Sequence, residues 1–146
     1  MKRVLKAALP LAVIALASCS STKSYSSCKQ DVERLKASIV STSQFLEHAE
    51  AELQAADAIV RSCDDLVQPC AADDWVTRLK TLELDSERER AFFTRANETW
   101  RPAACLDYTS AYRLNPPPPE RYRAYYENYD KLADRIDELI VQLEAY

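Results

Sequence analysis

The chain has 146 residues, 23 acidic against 19 basic, a net charge of −4 and no glycine. Phosphate-cradling loops, nucleophile elbows and tight hairpin turns draw on glycine's left-handed backbone. Its absence therefore argues against Rossmann, P-loop, α/β-hydrolase and most all-β architectures. An acidic surface is repelled by nucleic acid and by anionic headgroups, so no nucleic-acid partner is expected.

The chain opens MKRVLKAALPLAVIALASC. Lys2, Arg3 and Lys6 precede an apolar run over residues 7–17. A bilayer core of about 30 Å needs about 20 residues, so this run is too short to span it. It fits the apolar region of a secretory signal. The run ends in Leu16, Ala17, Ser18 and Cys19, which resembles the lipobox of bacterial lipoproteins. That resemblance covers the first 20 residues. It implies that residues 1–18 are a cleaved signal and that Cys19 becomes the lipid-bearing first residue. One acyl chain anchors only marginally, whereas two or three make attachment stable. Ser20, in place of the aspartate that commonly retains such proteins in the inner membrane, points to the outer membrane, on its periplasmic face. Loss of three basic residues with the signal leaves 16 basic against 23 acidic, a net of −7 over 128 residues. That is one domain with a modest core.

Residues 19–27 read as a short flexible tether, small, polar and serine-rich. From Cys28 a seam of Val32, Leu35, Ile39, Thr42, Leu46, Ala49, Leu53, Ala56, Val60 and Cys63 recurs at spacings of three and four. This predicts a helix over 28–63, with Thr42 the polar exception. Residues 64–74 hold Pro69 and four aspartates and read as a connection, with Asp73 or Asp74 as the next N-cap. A second helix is expected over 74–101 on a weaker seam of Trp75, Leu79, Leu82, Ser86, Glu89, Phe93, Ala96 and Trp100, ended or kinked by Pro102. Residues 103–114 are expected to hold a short helical turn. Residues 116–119, four prolines, form a stiff spacer, with Pro119 opening a third helix over 119–145. Its seam is Tyr122, Tyr125, Tyr129, Leu132, Ile136, Leu139 and Leu143.

Beyond Cys19 there are four cysteines, an even number in an exported chain, which points to two disulfides. Cys28 and Cys63 lie 35 residues apart on one helix, about 52 Å at 1.5 Å per residue. They are too far apart to bond, since a disulfide holds its Cα atoms about 4.4–6.8 Å apart. Partners in an antiparallel hairpin share a constant residue sum. Residues 28 and 105, like 63 and 70, add to 133. The predicted bridges are Cys28–Cys105 and Cys63–Cys70; the remaining pairing would join opposite ends. The expected fold is thus all-α: an antiparallel two-helix hairpin stapled by two disulfides, with a third helix packed on it as a three-helix bundle over 28–146. Zinc is not expected, because no C-x-x-C pair occurs and the single histidine, His48, lies off the seam.

No catalytic residue stands out. His48 beside Glu47 and Glu50 reads as a solvated helix residue, and the acids among residues 83–89 alternate with arginines as a charged face does. Two features invite a partner. Residues 39–43 (IVSTS) should lie opposite 90–94, a polar stretch that is either covered by the third helix, whose tyrosines bring hydroxyls, or left open as a groove for a partner helix. Residues 121–129 (RYRAYYENY) carry the composition of binding hot spots. There Tyr122, Tyr125 and Tyr129 are expected inward, and Arg121, Arg123 and Tyr126 outward as a contact patch. The expectation is a non-enzymatic, lipid-anchored envelope protein that docks a protein partner, with no cofactor beyond its lipid and no small-molecule substrate. In general format it is similar to secretion-system pilotins, which are small, helical and lipidated and bind a helical tail. The alternative is a structural or surface lipoprotein such as an exclusion, inhibitor or immunity factor.

Overall fold

The computed structural model describes residues 22–65, 70–111 and 114–146; the expected signal over residues 1–18 and the expected lipid site at Cys19 lie outside them. The described residues form α1 (Tyr25–Asp64), α2 (Ala72–Thr99), a 3-10 turn (Pro102–Cys105), α3 (Leu106–Ala111) and α4 (Glu120–Leu143), with no strand among them. The third helix expected from the sequence is α4. The fold is an all-α bundle in which α1 and α2 run antiparallel and α4 packs on both.

Each helix boundary has a local cause. Ser24 caps α1 by accepting a hydrogen bond from the Ser27 N–H at 3.2 Å, which satisfies one of the unpaired donors of the first turn. The helix therefore starts at Tyr25, three residues before Cys28, and takes in part of the segment read as tether. Helix α2 begins at Ala72 without a side-chain cap. Asp73 and Asp74 sit inside its first turn, where they act on the helix dipole rather than as N-caps. It ends at Thr99, because Arg101 precedes a proline and is extended at φ −120°, ψ 93°. Pro119 stands at the cap of α4 and Glu120 is its first residue. The Tyr122 hydroxyl donates to the Pro117 carbonyl at 2.6 Å, fastening the proline run to α4.

Both predicted disulfides are present, Cys28–Cys105 with Cα atoms 5.9 Å apart and Cys63–Cys70 at 5.0 Å. Cys70 and Cys105 lie beyond the two ends of α2, so the shared sum of 133 holds at the ends only. Inside the hairpin, Ser41 donates to Glu89 at 2.9 Å and Arg78 to Glu52 at 2.7 Å. Residues 41 and 89, like 52 and 78, add to 130. The stretch 39–43 thus faces 87–91 rather than 90–94, directly over the Ser86 and Glu89 gap. Helix α4 runs parallel to α1: Tyr129 reaches Thr42, Arg135 reaches Asp57, and Tyr146 hydrogen-bonds Asp64. Against α2 it is antiparallel, through Arg90–Asp130 and Lys80–Glu144.

The interior is divided into two apolar clusters. One, toward the Cys63–Cys70 end, is built from Ala49, Leu53, Leu79, Leu82, Ile136, Leu139 and their neighbours. The other, toward the Cys28–Cys105 end, joins Val32, Leu35, Phe93, Trp100, Leu114 and Tyr122. Between them lies a polar belt of buried Ser38, Thr42 and Ser86. Tyr129 closes it, 1% exposed, with its hydroxyl donating to the Thr42 hydroxyl at 3.2 Å. The Ser38 hydroxyl donates to the Leu35 carbonyl at 2.8 Å. Among the described residues no buried side-chain polar atom lacks a partner. The third helix therefore covers the polar middle of the hairpin, and no groove opens there.

Candidate functional site

One feature of the described surface is a shallow, elongated groove where α4 lies along α1. Two adjoining hollows of about 350 and 390 Å3 share Leu46, Glu50 and Asn128. Leu46, Leu53 and Leu132 form its floor. Glu47 and Glu50 stand on the α1 rim, and Lys131 and Arg135 on the α4 rim. From residue 43 to residue 53 the groove runs about 15 Å, three turns of helix. The register explains why it is open. Phe45 and Thr42 turn toward Tyr129, with the Phe45 and Tyr129 rings stacked at 6.3 Å. Leu46 is left at the seam's edge, half-buried. Arg135 closes one end, bound to Asp57 and Glu138 at 2.5 Å each. These two carboxylates, with their hydrogen bonds, hold the guanidinium further above its ordinary pKa.

The residues expected as a contact patch divide. Arg121 and Arg123 are exposed. Tyr126 is half-buried: its ring lies 5.2 Å from that of Phe93 and its hydroxyl donates to Thr94 at 3.2 Å. The correction has a simple cause, since α2 passes on that side of α4 and takes the tyrosine. Tyr122 and Tyr129 face inward as expected, while Tyr125 is half-buried with its edge on Phe93 at 5.5 Å. Burial raises the phenol pKa values of Tyr122 and Tyr129 above the usual 10. His48 is exposed, in a shallow hollow between α1 and α2 beside Glu52, Arg78 and Asp85.

A second cluster escaped the sequence. Asp31, 5% exposed on α1, receives the Lys23 ammonium at 2.5 Å and lies 3.7 Å from Arg34. Lys23 also donates from its ammonium to the Thr99 carbonyl at 2.9 Å and from its backbone N–H to the Ala104 carbonyl at 3.3 Å. Lys23 sits in the segment read as tether, and nothing in the local pattern links it to an acid eight residues on. The groove was equally hidden, because its two rims lie about 80 residues apart in sequence and become neighbours only through packing. Among the described residues no group of histidine, cysteine and carboxylate side chains is placed to hold a metal ion, and no helix is long and apolar enough to cross a membrane.

Comparison with protein families, curated proteins and solved structures found no match to this chain.

Proposed function

We propose that the chain is a non-enzymatic, lipid-anchored protein of the bacterial envelope, an adaptor that receives an amphipathic helix of a partner protein in the groove between α1 and α4. The lipobox supports the anchor, and with it a place on the periplasmic face of the outer membrane. The groove carries the adaptor role. It has an apolar floor, an acidic rim of Glu47 and Glu50 and a basic rim at Lys131, on two nearly parallel helices that a further helix can lie between. The occupant that fits is a helix of about three turns with an apolar stripe, basic on the side toward α1 and acidic on the side toward α4.

A photo-crosslinking residue placed at Glu47 or Asn128 in living cells tests this against the same residue at Leu84, an exposed position on α2. The expected result is a discrete protein adduct from the two groove positions and none from Leu84. Adducts from all three positions alike, or from none, count against docking in the groove. In the second case, digestion of the protein by protease added to whole cells favours the surface-lipoprotein alternative. Intact mass checks the anchor separately: the mature chain should begin at Cys19 and carry acyl chains.

A further inference from the structure

We infer that the Cys28–Cys105 end of the bundle is a second membrane contact, a basic surface that lies on anionic phospholipid and holds the domain upright. The inference rests on the lipid anchor proposed above, and three observations carry it further.

The first is where the chain joins the domain. Only residues 20–22 separate Cys19 from Lys23, and four Cα steps reach at most about 14 Å. Lys23 is fastened to the bundle through Asp31, Thr99 and Ala104, next to the Cys28–Cys105 bridge. A lipid on Cys19 therefore draws this end to the bilayer. The Cys63–Cys70 end stands about 60 Å away along α1 at 1.5 Å per residue.

The second is the chemistry of the end so placed. Lys29, Arg101, Arg121 and Arg123 are exposed there, and among the described residues none of them forms an ion pair. Pro102, Pro119 and Arg123 line a cleft of about 460 Å3 whose floor is the buried Trp100 and Tyr122, each 7% exposed. Leu106 projects nearby, 64% exposed. Exposed cations are drawn to anionic headgroups within a Debye length, and an exposed apolar side chain beside them enters the headgroup and acyl boundary.

The third is the distribution of charge. In the half nearest Lys23 (residues 22–38, 92–111 and 114–128), 8 basic residues face 6 acidic ones, a net of +2. In the other half (residues 39–65, 70–91 and 129–146), 7 basic residues face 17 acidic ones, a net of −10. An anionic surface attracts the first half and repels the second, so both turn the rod the same way. The groove begins about 30 Å along α1 from Lys23, and is thereby held clear of the headgroups.

The two tryptophans report the orientation, Trp100 at the near end and Trp75 at the far one. The mature lipoprotein is reconstituted into vesicles of equal parts phosphatidylcholine and phosphatidylglycerol with brominated acyl chains. Trp75→Phe protein reports Trp100 and Trp100→Phe protein reports Trp75. Contact at the headgroup and upper acyl level, about 5–10 Å deep, should quench Trp100 roughly twofold and leave Trp75 unchanged. The Arg121→Glu and Arg123→Glu double variant, both positions exposed, should lose most of that quenching while still floating with the vesicles. Should Trp100→Phe unfold, the difference between wild-type and Trp75→Phe emission gives the Trp75 signal instead. Floating protein in which both tryptophans are quenched alike, or neither is, overturns the upright contact and leaves the anchor standing. Equal Trp100 quenching on pure phosphatidylcholine overturns the role of anionic lipid. A mature mass without acyl chains overturns the anchor and this inference together.

Discussion

Thr42 sits fully buried in the middle of the longest helix, and its hydroxyl is tolerated there because Tyr129 reaches it from α4. The pair lies between the two apolar clusters and ties α4 to α1 at one register, since a shift of one turn would take the Tyr129 hydroxyl away from its acceptor. A buried hydroxyl deprived of its partner costs about 1–3 kcal/mol, whereas replacing both partners by apolar groups of similar shape is close to neutral. Thr42→Val should therefore destabilise the domain by about 1–2 kcal/mol and Tyr129→Phe by a similar amount. The double variant should cost less than the two together, as measured by urea unfolding in a double-mutant cycle. Strict additivity would show that the belt does not act as a pair. Asp31 follows the same logic with charge: a carboxylate only 5% exposed is held by Lys23 and Arg34.

At the level of elements, the two disulfides differ in what they constrain. Cys28–Cys105 spans a sequence separation of 77 and ties the start of α1 to the turn after α2, whereas Cys63–Cys70 spans 7 and closes only the connection. On the chain-entropy relation the long bridge contributes about 4 kcal/mol and the short one about 2 kcal/mol. Replacing Cys28 and Cys105 by serine should lower the unfolding midpoint markedly more than replacing Cys63 and Cys70. Equal effects in denaturant titrations would contradict that ordering. Within the helices, what was legible followed from spacing. The α1 seam, read from residues 28–63, is buried almost throughout, with Leu46 and Val60 half-covered at its edges. Helix ends were less legible, because an N-cap depends on the chain's path before the helix. Ala71 takes the cap of α2, although Asp73 and Asp74 have the better chemistry for it.

At the scale of the whole molecule, the tyrosines of α4 couple the fold to pH. Burial raises the pKa values of Tyr122 and Tyr129 above 10, so the folded chain holds these protons more tightly than the unfolded one. The corresponding stability is complete below the unfolded tyrosine pKa of about 10 and is lost as pH rises through the folded values. Thermal melts should thus shift little with these groups between pH 6 and 9 and fall above about pH 10, and Tyr129→Phe should blunt the fall. The distribution of charge is the other property of the whole. A net of −4 speaks against any anionic surface when charge is counted along the chain. Folding sorts the charges, so that the end near Lys23 is mildly basic and nearly all the excess acid lies in the opposite half.

Periodicity and spacing along the chain were enough for the helical class, the three long helices and both disulfide pairings. Apolar repeats near 3.6 residues and the fixed rise of a helix are local constraints that one dimension carries. The interior register, Tyr126 turning onto Phe93, Lys23 locking onto Asp31, and the groove between α1 and α4 became visible only in three dimensions. Each joins residues distant in sequence, or depends on which side of a helix its neighbour passes, and rotation of one helix against another leaves no mark in the spacing of either.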